Sequence, residues 1–492
     1  MYTRRNFLKI MSAYSCAALG LSSRILAEAG SNSNNRPNVL FIISDDLCTA
    51  LGGYRHPQCK TPNLDRLADR GVLFERAYCQ FPVCGPSRAS IMCGQYPTAL
   101  GTTSNGKSNF RSRHPNVITL PQHLRKNGYY TARVSKIYHM GVPGDILAGT
   151  SGVDDPLSWD ETTNIKGPEQ YAPGEKEDLC PKVTHQGVDF VKIEADGDDY
   201  VHADGMSARK AIGLLGKISK PFFLAAGMVR PHVPLASPKS YFKPYPAQEM
   251  KLAHVQDGDL DDVPKAAQSQ TNAVKYGMST EQQRKTLSAY YAAVSYMDAQ
   301  VGKILDALER NKLEENTIVV FMSDHGYNLG QHSSWQKLSL WEDSVRVPLI
   351  ISVPRKAGGG VQGKRASQVV ELIDVFPTIT ELCGLKPPAG LPGTSLCPLL
   401  KEPNTKAWKE KSAYTISRNN GESLRTSRWR YNVWDQEQAG VELYDHDNDP
   451  GEFNNLADDP RYRDVLAELS GKLKKARARA SKLNSSNNRS PR

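Results

Sequence analysis

Cys84-Gly85-Pro86-Ser87-Arg88 places a cysteine four residues before an arginine. Pro86 suits the first turn of a helix, and positions four apart share a helix face, so sulfur and guanidinium belong to one surface. Two acidic clusters lie far from this pair in the chain. Asp45-Asp46 and Asp324-His325 each follow an apolar run, and three carboxylates with a histidine form the oxygen-rich set that a hard cation such as Ca²⁺ takes. An Asp-Asp pair after a strand also serves as a helix cap, but a second acidic strand end favours a metal. Lys136, His139, Arg230-Pro231-His232 and Lys337 add cations and proton carriers. Such a collection suits attack on an anionic ester, where positive charge must screen the approach of a nucleophile.

The elements that position these groups read as an α/β class fold. Val39–Ile43, Thr317–Met322 and Leu349–Val353 are short, apolar on both faces and bounded by polar residues, the pattern of buried parallel strands, with Tyr130–Val134 and Phe222–Ala226 as companions. Helical stretches alternate with them at 63–70, 120–126, 206–218 and 281–310, which predicts a layered domain on a mainly parallel sheet. Such sheets bind ligands at the carboxyl ends of their strands, and four runs end at the groups named above. The Gly-, Pro- and Asp-rich stretch 142–200 and the aperiodic stretch 236–280 read as long loops walling a cleft. From about 405 a second module begins, with antiparallel strands near 423–434 and a helix over 461–480.

The motif at Cys84–Arg88 resembles the Cys-x-Pro-Ser-Arg signature of type I, formylglycine-dependent sulfatases. The likeness runs from Pro37 to about Ala457, with Asp45-Asp46, Ser323–Gly326 and the intervening lysines and histidines in the family's order. Asp324-His325, Gln331-His332, Lys337 and Pro231-His232-Val233-Pro234 are most similar to iduronate-2-sulfatase-like bacterial members. Cys93-Gly94-Gln95 departs from the Thr-Gly-Arg segment that many members carry there and that assists maturation.

The resemblance implies an alkaline-phosphatase-like layered α/β domain with a small C-terminal α+β module, and a sulfated sugar or polysaccharide as substrate. It implies that a formylglycine-generating maturation system oxidises Cys84 to 3-oxoalanine. One hydroxyl of the aldehyde hydrate then attacks sulfur and expels the alcohol; the second loses its proton and ejects sulfate, a step closed to an unmodified thiol. By the same resemblance Asp45, Asp46, Asp324, His325 and residue 84 hold the metal. Arg88 fixes the hydrate, Lys136, Lys337 and His232 hold the sulfate, and His139 moves the proton. The division of proton work between His139 and His232 stays open, as does whether His332 and Trp335 line a sugar subsite or simply pack.

The net charge of +10 does not mark a nucleic-acid binder, because residues 1–29 carry four Lys or Arg against one Glu and residues 471–492 carry eight and no acid, leaving 30–470 near −1. The ends therefore read separately: 1–29 as a signal for the twin-arginine export machinery (Arg4-Arg5 before an apolar stretch too short for a permanent membrane span), 30–404 as the catalytic domain, 405–470 as the small module and 471–492 as a solvated basic tail. Export places the protein in the periplasm or outside the cell. Nine cysteines without CxxC spacing exclude zinc ribbons, and with Cys16 in the signal and Cys84 set aside an odd number remains, so at least one is a free thiol. A phosphatase or phosphodiesterase of the same superfamily, with an unoxidised nucleophile and two zinc ions, and a non-catalytic binder of sulfated glycans are the alternatives.

Overall fold

Asn38–Asp45 (β1) is buried along all eight residues, because a strand with helices on both faces has no solvent side. The computed structural model describes residues 36–183, 190–219, 221–269 and 271–483; the 1–29 signal lies outside them. Around β1 the main sheet comprises Val72–Tyr78 (β2), Tyr130–Val134 (β3), Glu161–Thr163 (β4), Phe222–Pro231 (β5), Thr317–Ser323 (β6), Arg346–Val347 (β7), Leu349–Ser352 (β8) and Lys364–Glu371 (β9). Its order is β7-β2-β8-β6-β1-β5-β3-β4, with β9 also pairing β2. From β6 to β4 every pairing is parallel, the predicted arrangement.

β8 corrects one expectation. It runs antiparallel to both β6 and β2. A strand buried on two faces shows no alternation, so its composition carries no sign of direction. The 142–200 stretch is also more ordered than its composition suggests. It supplies the edge strand β4 and two strands, Gly174–Asp178 and Val191–Ala195, of a separate three-stranded sheet closed by Leu235–Pro238.

One core cluster fills each face of the main sheet. The long helix Thr280–Arg310, started by a Ser279/Gln282 capping box, packs on one face through Tyr290, Val294, Met297 and Val301. The helices Cys84–Cys93 and Val375–Leu382 pack on the other through Ile91, Met92, Phe376 and Ile379. No helix among the described residues is long and apolar enough to cross a membrane.

Ala413–Ile416 (β10), Gly421–Arg425 (β11), Trp429–Trp434 (β12) and Gly440–Asp445 (β13) form an antiparallel sheet covered by the helix Arg463–Ala480. That helix, expected over 461–480, takes up the first part of the stretch 471–492 that charge alone reads as a solvated tail. Leu469, Leu473 and Ala480 make a buried stripe at helical spacing, and Arg477 donates to Glu422 at 2.8 Å, so residues 471–480 belong to the folded body. Residues 484–492 lie outside the described residues.

The small sheet is tied to the large one by buried charge. Arg430, fully buried, bridges Glu342 and Glu452, and His446 Nε2 lies 2.8 Å from Glu452 Oε1. Burial alone would raise the Glu452 carboxyl, but Arg430 and His446 hold it down at about 2, against an ordinary 4.5. A lowered folded value lends stability above the unfolded value that is lost as pH falls through the folded one. Acid titration followed by tryptophan fluorescence should therefore show stability falling between pH 4.5 and about 2. Glu452→Gln protein should be less stable at neutral pH and flatter across that window.

Candidate active site

Register brings the acidic ends together. β1 and β6 run parallel with Ser44 opposite Ser323, so Asp45 and Asp324 emerge side by side. Asp46 follows in the left-handed region (φ 62°), a conformation that costs free energy outside glycine and is held here by surrounding bonds. Its N–H donates to Asp324 Oδ1 at 3.3 Å and its carbonyl accepts from Tyr290 OH at 2.7 Å. Ser323 Oγ accepts from Leu47 N–H at 3.1 Å and donates to the His325 carbonyl at 2.8 Å. Gly326 is required by close approach, since a Cβ there would lie 2.1 Å from the Asp343 carbonyl oxygen.

Cys84 is the first residue of a helix in which all ten residues are buried. Arg88 lies one turn on, fully buried, with Nε donating to Asp324 Oδ2 at 2.7 Å, one Nη 3.5 Å from Asp45 and the other donating to the Lys136 carbonyl at 2.6 Å. Gly94 ends the helix in the left-handed conformation against Phe376, where a Cβ would approach to 2.8 Å. The departure at Cys93-Gly94-Gln95 thus keeps the glycine that the helix end requires.

The candidate residues converge on Cys84. His325 Nε2 and Lys337 Nζ each lie 3.3 Å from its Sγ. His325 Nδ1 faces the Gly326 carbonyl at 2.9 Å, which directs Nε2 inward to Asp46 Oδ1 at 3.2 Å. Lys337 donates to Asp46 Oδ1 at 2.6 Å, Lys136 pairs with Asp45, and His232 Nε2 lies 3.8 Å from Asp46 Oδ2. His139 follows Lys136 on the loop after β3, half-buried, its Nδ1 without a hydrogen-bond partner.

Charge decides the protonation states. Burial pushes the Cys84 thiol well up, and Asp45 adds to it, so the sulfur is held as thiol and is a poor nucleophile. Burial would raise Asp45 too, but Lys136, His232 and Arg88 hold its carboxyl well below the usual range. Asp46 is lowered despite burial, chiefly by Lys337. Burial pushes the imidazoles down, His232 to about 4 and His139 to about 3, so both are neutral proton acceptors near pH 7.

The donors fit a hard cation. Asp45, Asp46 and Asp324 are at most 1% exposed, and Asp45 meets the cationic side chains of Lys136 and Arg88, so its oxygens face positive charge already. Ligand atoms of Asp45, Cys84, Asp324 and His325 lie within 4.8 Å of one another, as do those of Asp45, Asp46, Cys84 and His232. His232 thus joins as a possible donor beyond the expected set. A third group among the described residues, Glu342, His446 and Glu452, is filled by the guanidinium of Arg430. His332 and Trp335 pack rather than line a subsite: His332 is 3.1 Å from Asp259 with its ring 4.4 Å from Trp341, and Trp335 is fully buried against Phe190.

Sequence reasoning missed Tyr290, and it met Ser323 and Arg230 only as neighbours of Asp324 and His232, without the roles they take. Arg230 is buried, paired with Glu169 at 2.9 Å, while its carbonyl accepts from Ser44 Oγ at 2.7 Å beside Asp45. Tyr290 sits in no motif; it is one of many residues on a long amphipathic helix.

Comparison with known proteins gives a concordant result. The family described as Sulfatase matches residues 37–385, and the C-terminal region described as N-sulphoglucosamine sulphohydrolase matches 330–479. A sulfatase of Formosa agariphila is 30% identical over 90% of this chain and 87% of its own length; iduronate 2-sulfatase of Mus musculus is 31% identical over 90% and 95%. Among solved structures, a phosphonate monoester hydrolase from Silicibacter pomeroyi superposes with a TM-score of 0.74 at 22% identity, covering 92% of this chain and 97% of its own. A 2-O GAG sulfatase does so with 0.69 at 24%, covering 90% and 92%. These two likenesses establish the fold alone. Because the family match spans most of the chain and the full-length relatives are sulfatases, this chain belongs to the sulfatase family and is a sulfuric ester hydrolase.

Proposed function

We propose that the chain desulfates a sulfated carbohydrate, with 2-sulfated iduronate as the first substrate to try, using formylglycine made from Cys84 and a bound Ca²⁺. The observation that carries this reading is the setting of Cys84. Its sulfur is a protonated, buried thiol at a helix N-terminus, 3.3 Å from an imidazole and an ammonium and among three carboxylates. That setting is poor for thiol chemistry and good for a group that must bear developing negative charge.

When oxidised, residue 84 supplies a nucleophile that can also release sulfate, and the cation supplies Lewis acidity at the same point. The rest of the work belongs to side chains present here. Asp45, Asp46, Asp324 and His325 hold the cation. Arg88, locked by Asp324 and backbone carbonyls, fixes residue 84 and neutralises charge beside it. Lys136 and Lys337 take the sulfate oxygens. His232, its Nδ1–H donating to the Val233 carbonyl at 2.6 Å, turns an unprotonated Nε2 towards the sulfate; that nitrogen and the unpartnered one of His139 are the acceptors available for the proton that residue 84 loses as it attacks, which then passes to the departing alkoxide. The export signal and the need for maturation fit a protein modified inside the cell and passed folded through the twin-arginine route to the periplasm or beyond.

Two measurements test this. Peptide mass analysis of protein made in its native host should find residue 84 as aldehyde; an exclusively thiol peptide sinks the mechanism. Chelation should remove turnover on defined sulfated mono- and oligosaccharides, and Ca²⁺ should restore it while stabilising the fold by about 2.7 kcal/mol at a hundredfold excess over Kd. Recovery with two zinc ions and preference for a phosphate or phosphonate ester would instead favour the phosphoesterase reading.

A further inference from the structure

Positive charge gathers on one flank that the active-site chemistry does not use. A cavity of about 310 Å³ is walled by Arg55, Arg76, Arg346, Arg365 and Arg425, against only three carboxylates, those of Glu75, Glu342 and Asp447. A second cavity, of about 320 Å³, carries Lys411, Lys472, Lys475 and Arg479 against Glu410 alone. The two adjoin at the turn between β11 and β12. Thr426 lines the second cavity, its neighbours Arg425 and Ser427 line the first, and Ser427 Oγ donates to Glu410 across the division.

Nine cations thus line the two cavities with four carboxylates, six of the nine from residues 30–470, a span near neutral as a whole. Some of this charge is committed. Arg365 pairs with Glu75, Lys411 with Asp374, Lys472 with Glu468 and Arg479 with Glu371, and Glu342 serves Arg425 and Arg430. Other charge is not. Arg55 and Lys475 are exposed and form no ion pair among the described residues. Arg346 Nε is buried without a hydrogen-bond partner, and its nearest carboxylate, Glu342, is 3.7 Å away. Guanidinium groups on a cavity wall that outnumber the carboxylates there are strong donors for an oxyanion.

We propose that this flank is a second binding site, which holds a polyanionic carbohydrate chain while one of its sulfated units occupies the active site. This rests on the sulfatase reading. Guanidinium forks match the paired oxygens of sulfate and carboxylate groups, and two adjoining cavities suit a repeating chain rather than one small anion. Nucleic acid fits less well, because the rings on the walls are both taken: Arg346 lies 5.9 Å over Tyr54, and His446 is held by Glu452 at 2.8 Å. The flank borders the catalytic end of the sheet. Arg346 directly follows the helix Glu342–Val345, whose Ser344 carbonyl accepts from Gly326 N–H at 3.0 Å, next to His325.

The test uses matured full-length protein and an Arg55→Gln/Lys472→Gln/Lys475→Gln variant, all three positions exposed. Wild-type protein should be retained on immobilised heparin, and the variant should elute at lower salt with a Kd for size-defined heparin raised roughly tenfold. Turnover of a small monosulfated monosaccharide should be the same in both. Unchanged heparin affinity in the variant, or no retention of the wild type, overturns the proposal. Equal affinity for single-stranded DNA, lost through the same substitutions, overturns its assignment to carbohydrate. If wild-type protein turns over no sulfate ester yet shows the heparin contrast, the site stands and the sulfatase mechanism falls.

Discussion

Cys84→Ala protein made in the native host should fold and lose sulfate ester turnover by at least about 10⁴-fold, as the loss of a covalent nucleophile does elsewhere. The side chain is 1% exposed at the first position of a buried helix, where alanine is a good helix former, so only a small cavity is left. A thermal melt should fall by no more than the equivalent of about 1–2 kcal/mol. Cys84→Ser should likewise fold without turning over, since a single hydroxyl can attack once and has no second hydroxyl to release sulfate. Activity in either variant near that of the parent would remove residue 84 from the mechanism, whatever the fold resemblance.

Arg88 should show the opposite balance, with stability and activity falling together. Its guanidinium is fully buried, 2.7 Å from Asp324 and 3.5 Å from Asp45, and it also donates to the carbonyls of Ser44, Lys136 and Ile137. Arg88→Ala leaves two buried carboxylates short of their partner, a loss of about 3–5 kcal/mol in urea denaturation without added cation. Arg88→Lys restores charge but not the planar fork, so it should recover part of the stability while kcat stays down by about 10²-fold. Full recovery of kcat by lysine would show that net charge alone is required there, and the geometric role assigned to Arg88 would fail. Saturating Ca²⁺ should narrow the stability gap in Arg88→Ala, because a cation compensates the same carboxylates.

The parts legible in sequence were those set by local chemistry. The strand ends at Asp45 and Asp324 could be read because a buried strand must stop where charge begins, and parallel register then places them together. The helix Leu120–Lys126 was readable to the residue, its start fixed by the Thr119/Gln122 capping box. What depended on distant partners was hidden. The direction of β8 is decided by its neighbours, and the docking of the terminal helix, itself legible, by Leu469 and Leu473 finding the small sheet. Tyr290 and Ser323 hold the acidic strand ends through single hydrogen bonds, and no spacing announces such bonds. The arginine-lined flank was hidden for the same reason: its nine cations come from seven separate segments, six of them in a span whose net charge is near zero.

The buried helix Cys84–Cys93 turns modification into a question of timing. The segment leading into it is paired by strand β10, where Thr415 Oγ1 donates to the Cys79 carbonyl and Ile416 N–H to the Gln80 carbonyl at 3.0 Å. Thr415 is made 336 residues after Cys79, which at ordinary synthesis rates is an interval of roughly 20–70 s. During that interval the segment around Cys84 lacks its β10 partner, and an oxidising enzyme can take it as an extended chain. Once β10 docks, the same segment is held in helix and sheet pairing, a shape that admits a sulfate ester but no longer an enzyme that must wrap the peptide. Slower elongation between residues 93 and 413 would widen the window.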